Sequence, residues 1–353
     1  GSAITGFRVQ DGTNAHGASG ASSPITVTGL TNGTSYTFNV WAINAFGYSA
    51  PSDASGSVTP AVLERGFIAG GQSTTNVIQY IEIPTTGNTT DFGDLTVARY
   101  NLGAMSNVTR SVFAGGNGPS NVMDYITNNT LGNATDFGDL TAARAGLSQG
   151  SINSTTRGIV AGGYNSGTQQ DIQYITIAST GNATTFGTLA GTQTGYYPAG
   201  LSSSTRGLIA GGDFSGNNNQ IAYITIASTG NSTDFGDLTV GRDGVAGGSN
   251  STRGLFSQGY TGSVFSNVID YVTIASTGNA TDFGDCSTGS RYSSQMTNST
   301  RSVIRVGANS YPYASVTLEY VAIASTGNTT DFGDLLSSIS STAGCSSANG
   351  GVQ

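Results

Sequence analysis

The chain has no lysine. All twelve of its basic residues are arginine, and only 9% of its 353 residues are charged. Histidine occurs once, at His16, and cysteine twice, at Cys286 and Cys345. Each scarcity excludes something. A single histidine cannot build a site of several imidazole ligands, and beyond residue 16 there is no imidazole base for a Ser–His arrangement. Two cysteines make no disulfide framework. Both are expected as free thiols, and they leave the redox compartment undefined. With a formal net charge of -8, nucleic acid and anionic membrane surfaces are not expected partners. No apolar run approaches the ~18 residues that a spanning helix needs, so membrane insertion is not expected. No signal peptide is visible.

What the chain does have is glycine, 53 residues of it, among abundant Ser, Thr and Asn, with 36% hydrophobic residues. The hydrophobic residues fall in short alternating runs between polar turns, the pattern of many short strands. An internal repeat organises them. The segment Arg65-Gly66-Phe67-Ile68-Ala69-Gly70-Gly71 recurs from Arg110, Arg157 and Arg206, and in weaker form from Arg253 and Arg301. Each copy is followed by an apolar run centred on Tyr80, Tyr125, Tyr174, Tyr223, Tyr271 or Tyr320. Eleven residues after each tyrosine begins a DFGD-type segment, at Asp91, Asp136, Thr185, Asp234, Asp282 and Asp331. The period of 45 to 49 residues fits a four-stranded propeller blade. The Arg-Gly segment is read as the second strand, the tyrosine run as the third and the DFGD segment as the fourth. The small-residue stretch before each arginine, such as Gly244–Ser249, is the first. The first copy lacks that strand, while sequence for one more follows the last copy. The stretch Ala343–Ser346 is therefore expected to complete the first copy and close the ring.

The double glycine and the later tyrosine resemble the kelch motif, without its later tryptophan, so the resemblance is to kelch-like propellers in general. With the six copies, the expectation is a six-bladed β-propeller over residues 61–353. Residues 1–60 resemble the latter part of a fibronectin type III domain: Ala3–Val9 is similar to its third strand, Ile25–Leu30 precedes a tyrosine-corner residue, Tyr36, and Tyr36, Phe38, Val40 and Ala42 alternate. The first strands of that sandwich are missing. The expectation is that upstream sequence or a complementing chain supplies them. The fold expected is all-β, a six-bladed kelch-like propeller behind a partial fibronectin type III sandwich. Fibronectin modules feeding a DFGDL-repeat propeller resemble tail-fibre and related virion proteins of tailed phages, particularly marine ones. That resemblance implies an extracellular, virion-borne appendage that is not an enzyme. Its partners would be a host-surface glycan or protein, and other virion proteins through the fibronectin end. Homo-oligomerisation is left open. A structural virion module and a secreted bacterial adhesin are the alternatives.

No catalytic residue, metal ligand or cofactor is expected. The repeated aspartates lack the alternating acidic loop of a calcium site. They are read as partners of the arginines five residues on: Asp94 with Arg99, Asp139 with Arg144, Asp237 with Arg242. The Asn-X-Ser/Thr triplets at Asn88, Asn133, Asn182, Asn231, Asn279 and Asn328 are read as turn chemistry rather than glycan acceptors. Where the copies disagree, a binding surface is expected. From double glycine to tyrosine the loop takes 9, 9, 11, 11, 12 and 13 residues. These loops carry Tyr164, Phe214, Tyr260, Phe265, Tyr311 and Tyr313, and the connections into each first strand carry Tyr100, Tyr196, Tyr197 and Tyr292. Both sets emerge on one face, giving a paratope-like mixture of aromatic anchors and small polar groups. Loop drift without function is the alternative. The opposite face holds the near-invariant turns, on the side where the chain enters near Arg65.

Overall fold

The computed structural model describes residues 1–31, 34–60, 63–72, 75–147, 150–190, 195–212 and 218–348. It divides into two units, Gly1–Val62 and Leu63–Gln353. All regular structure in the described residues is β, in four-stranded antiparallel sheets.

In the first unit, β1 (Gly6–Asp11) lies between β2 (Gly17–Gly20) and β3 (Phe38–Asn44), and β3 pairs in turn with β4 (Gly47–Tyr48). The Tyr36 hydroxyl accepts the Thr31 amide at 2.9 Å, and its backbone bridges Val58. This hydroxyl-to-backbone bond holds the chain where it turns towards β3. Among the described residues of this unit, Tyr36 is the one buried hydrophobic side chain. The Ile25–Leu30 segment forms no strand.

Among its described residues the second unit holds six sheets, one per repeat. Its strands are β5 (Arg65–Ala69), β6 (Val77–Glu82) and β7 (Thr90–Asp94); β8 (Gly103–Ser106), β9 (Arg110–Ala114), β10 (Ser120–Thr127) and β11 (Thr135–Arg144); β12 (Ile152–Asn153), β13 (Arg157–Ala161), β14 (Asp171–Thr176) and β15 (Thr184–Thr188); β16 (Ala199–Ser202), β17 (Arg206–Ala210), β18 (Gln220–Thr225) and β19 (Thr233–Asp237); β20 (Ala246–Ser249), β21 (Arg253–Tyr260), β22 (Phe265–Thr273) and β23 (Thr281–Asp285); β24 (Gln295–Thr297), β25 (Arg301–Arg305), β26 (Ser315–Ala322) and β27 (Thr330–Ile339); and β28 (Ala343–Ser346). Strands pair in sequence order within each sheet, with one exception. The first sheet takes its missing edge from the other end of the chain. There β28 pairs with β5, setting Ala343 against Ala69 and Cys345 against Phe67.

First strands touch one another in the cyclic order β8, β12, β16, β20, β24, β28 and back to β8. Small residues permit this approach: a Cβ on Gly247 would sit 2.3 Å from the Gly200 carbonyl oxygen. The core is divided to match. Six apolar clusters lie between consecutive sheets, and one joins the sixth sheet to the first through Met296, Val303 and Phe332 with Ile68, Ile81 and Ile83. Second strands are buried on both faces because a sheet covers each side, hence their unbroken apolar runs. Both thiols are free and buried, Cys345 on β28 and Cys286 just past the end of β23.

Candidate functional site

Most of the repeated motif is consumed in joining sheets. In every sheet the first arginine of the second strand stacks on the third-strand tyrosine, from 4.3 Å for Arg301 over Tyr320 to 4.7 Å for Arg157 over Tyr174. The same guanidinium reaches backbone carbonyls of the following sheet, as Arg253 does to Ile323 at 2.7 Å. The phenylalanine of each DFGD segment is buried against that tyrosine, and the pairing register skips it as a bulge. The bulge turns the next residue, Gly236 for example, to φ +148, where an added Cβ would lie 2.4 Å from the Gly278 carbonyl oxygen of the next sheet. Only glycine fits that approach. The turn asparagines act across sheets: Oδ1 of Asn279 accepts the Asp237 amide at 3.1 Å, and Asn231 accepts that of Thr188 at 3.1 Å.

The expected aspartate–arginine pairs are corrected by the structure. Arg99, Arg144 and Arg242 are buried and paired, but not with Asp94, Asp139 and Asp237. Arg99 meets Asp124, Arg144 meets Asp171, and Arg242 meets Asp270, each at 2.7 Å. Every one of these acids lies on the third strand of the following sheet. The backbone at each arginine still belongs to its own sheet, Arg99 bonded to Gly71 and Thr75, Arg242 to Gly212 and Asn218, and Arg144 ending β11, while the guanidinium reaches across into the following sheet. Burial pushes the Asp124 carboxyl up and the Arg99 guanidinium down, with their mutual attraction opposing both shifts. At Asp171 burial also pushes upward, but the hydrogen bonds and charge of Arg144 prevail and the carboxyl is lowered. Arg305 is buried with no carboxylate paired to it among the described residues. It donates to the carbonyls of Ile339 and Tyr292 at 2.9 Å, and burial lowers it to about 10.

The connections into the first strands form a closed ring of backbone hydrogen bonds. Asn101 N–H donates to Ser341, Ser341 to Tyr292, Tyr292 to Gly244, Gly244 to Tyr197, Tyr197 to Gly146 and Gly146 to Asn101, at 2.9 to 3.2 Å. All six residues are left-handed, with φ between 57° and 62°. Side chains meet across this ring. The Asn101 amide donates to the Tyr197 hydroxyl at 2.7 Å, and the Tyr197 and Tyr292 rings lie 4.3 Å apart. Gly146 and Gly244, at the intervening positions, leave the room that Tyr196 and Tyr292 occupy.

From this ring the aromatic residues extend as one patch. Tyr164 contacts Tyr196 at 5.3 Å and Tyr196 contacts Tyr197 at 3.8 Å. On the other side Tyr292 contacts Tyr313 at 5.8 Å, and Tyr313 contacts Tyr311 at 5.9 Å and Phe265 at 5.3 Å. Phe265 rests on Tyr260 at 4.9 Å. Eight of the ten aromatic candidates thus converge. Tyr100 stands apart, its hydroxyl paired with Asn117, and Phe214 lies outside the described residues. Exposure separates the eight. Tyr311 is 74% and Tyr164 41% exposed, whereas Tyr197 is 4% exposed. Tyr197 is therefore a core residue rather than a surface anchor, because it occupies a ring position whose side chain is roofed by its neighbours. Burial pushes the Tyr197 and Tyr292 hydroxyls above the usual phenol range, so both stay neutral.

Arg291 was not among the residues singled out from the sequence. Its guanidinium lies 4.5 Å from the Tyr292 ring centre, 4.9 Å from Tyr313 and 5.1 Å from Tyr260. It donates to the Tyr313 hydroxyl at 3.1 Å and sits 3.6 Å from Asp243. The available signal was position: Arg291 and Arg305 are the arginines of the six copies that occupy neither repeated arginine position. Among the described residues no group of three or more His, Cys, Asp or Glu side chains is placed to hold a metal ion. The arrangement offers stacking surfaces, phenol hydroxyls and one guanidinium, which is recognition chemistry. No family model matches the chain, and no curated protein matches it.

Proposed function

We propose that the six-sheet unit is a six-bladed, kelch-like propeller, that the first unit is part of a fibronectin type III domain, and that the chain is a non-enzymatic virion appendage whose loop face binds a host-surface glycan or protein. The cyclic contacts of the first strands, the β28–β5 pairing and the sheet-by-sheet core support the propeller reading. The Tyr36–Thr31 bond supports the fibronectin reading. One observation carries the binding reading: the aromatic residues of the variable loops gather into one patch with exposed members, while the rest of the repeat is used to join sheets. Drifting loops would scatter their aromatics. The burial of Tyr197 favours a second reading, in which part of the patch is packing and the chain is a structural virion module.

Two measurements test the proposal. Labelled antibody against the chain should decorate the appendages of intact particles. Purified chain should bind host cells, and the double variant Tyr164→Ala, Tyr311→Ala should bind about tenfold or more weakly with an unchanged melting temperature, since exposed aromatic anchors dominate such surfaces. Normal binding by that variant would favour the structural module.

A further inference from the structure

We infer that the patch around Arg291 takes an acidic sugar, with the pyranose ring stacked on Tyr311 and its anionic group, a carboxylate or a phosphate ester, held by the Arg291 guanidinium. This rests on the reading of the loop face as a recognition surface and names the ligand class for it.

The stacking half of the site is pre-organised. Tyr311 is 74% exposed, yet its hydroxyl accepts a hydrogen bond from Gln72 Nε2 at 3.0 Å. The Ser340 hydroxyl donates to the Pro312 carbonyl at 2.7 Å, and Tyr313 N–H donates to the Ser310 carbonyl at 2.7 Å. A ring that is largely exposed yet held by these bonds and by its contact with Tyr313 loses little entropy when a ligand stacks on it. The charged half lies next door, because Tyr313 touches both Tyr311 and Arg291. Aromatic rings fix the Arg291 guanidinium, its side chain is 21% exposed, and its carboxylate neighbour Asp243 stands at 3.6 Å. The three other arginine–aspartate pairs of the unit's interior close to 2.7 Å. Arg291 is thus oriented and accessible, with a long contact to its compensating charge, while buried Arg305 adds a second positive charge nearby through its bond to the Tyr292 carbonyl. The exposed aspartates of the DFGD segments lie on the fourth strands. A rigid, partly dehydrated guanidinium favours planar oxyanions and binds them bidentately.

The test uses the full chain on immobilised oligosaccharides: uronic-acid oligomers, the same oligomers with carboxyls reduced to alcohols, sugar phosphates, and neutral hexose oligomers. The acidic sugars are expected to bind about tenfold or more tightly than their carboxyl-reduced counterparts, and binding should weaken as salt rises. Whether uronic acids or sugar phosphates bind better distinguishes the two sources of the anion. Arg291→Gln should remove the acid preference. Tyr311→Ala should weaken acidic and neutral sugars alike, and Asp243→Asn, by removing the competing carboxylate, should strengthen acidic binding several-fold. The comparison of native and reduced sugars needs no variant, so it stands even if a substitution disturbs folding. Equal binding of reduced and native sugars, or an acid preference that survives Arg291→Gln in folded protein, overturns the inference. So does failure to bind any sugar. If host cells are still bound in that case, the recognition face stands and its ligand is a protein; if neither is bound, both readings fall.

Discussion

The amide of Asn101 donates to the carbonyl of Ser341 at 2.9 Å, joining the connection that follows the first repeat to the one that follows the last. It is the bond that closes a ring of six. Together with the β28–β5 pairing it makes the order of the sheets cyclic. A chain joined end to end in this way leaves no first-strand position open in the first sheet.

Truncation tests that closure. Removing the chain from Ser341 onward deletes β28, strips one edge of β5 and breaks the ring at two bonds. At about 1 kcal/mol per lost backbone hydrogen bond, the loss should be ~4 kcal/mol or more. A truncated chain melting at the temperature of the intact one would contradict the closure.

The third-strand acids, not those of DFGD, should carry the stability. Asp270→Ala leaves Arg242 buried without a counter-charge and should cost about 3–5 kcal/mol. Asp237→Ala should stay within about 0.5 kcal/mol. Urea unfolding of the two variants side by side decides between the pairing expected from spacing and the one in the structure.

Glycine at the bulge is required by its neighbour. Gly236→Ala would set a Cβ 2.4 Å from the Gly278 carbonyl at φ +148, and should cost about 1–3 kcal/mol. Gly230→Ala has open space around the new methyl and should be nearly neutral. Matching melting curves for the two would refute the close approach.

The turn asparagines should matter for stability and not for binding. Asn231→Ala removes the acceptor of the Thr188 amide and should cost about 0.5–1.5 kcal/mol. Equivalent substitutions in several turns should add, since the turns are far apart. Host-cell binding by the folded variants should be unchanged.

The thiols should be inert until the protein unfolds. Burial pushes Cys345 up to about 12 and Cys286 well above the ordinary thiol range. Raising the pH from 7 to 9 should therefore leave both unreactive towards an aromatic disulfide reagent, because the thiolate is the nucleophile and neither forms in that window. Guanidinium should release two reactive thiols.

The sequence by itself determined the six copies of the second unit and the four strands in each, but not the first unit, where Ile25–Leu30 forms no strand. The copies and their strands follow from local pattern: apolar alternation, glycine-containing turns and a fixed distance from tyrosine to DFGD. It also pointed to Ala343–Ser346 as the missing edge, because one copy lacked a strand and the far end held one to spare. Tertiary structure decided which acid faces which arginine, since Asp94 and Arg99 are close in sequence but the Arg99 side chain reaches out of its own sheet to Asp124 of the next. It decided that Tyr197 is core and Tyr311 surface, because exposure depends on what roofs a ring and not on the loop that carries it. Arg291 became visible only there too. A lone arginine outside the repeat has no partner in sequence, and its box of rings is assembled from three separate loops brought together when the sheets pack.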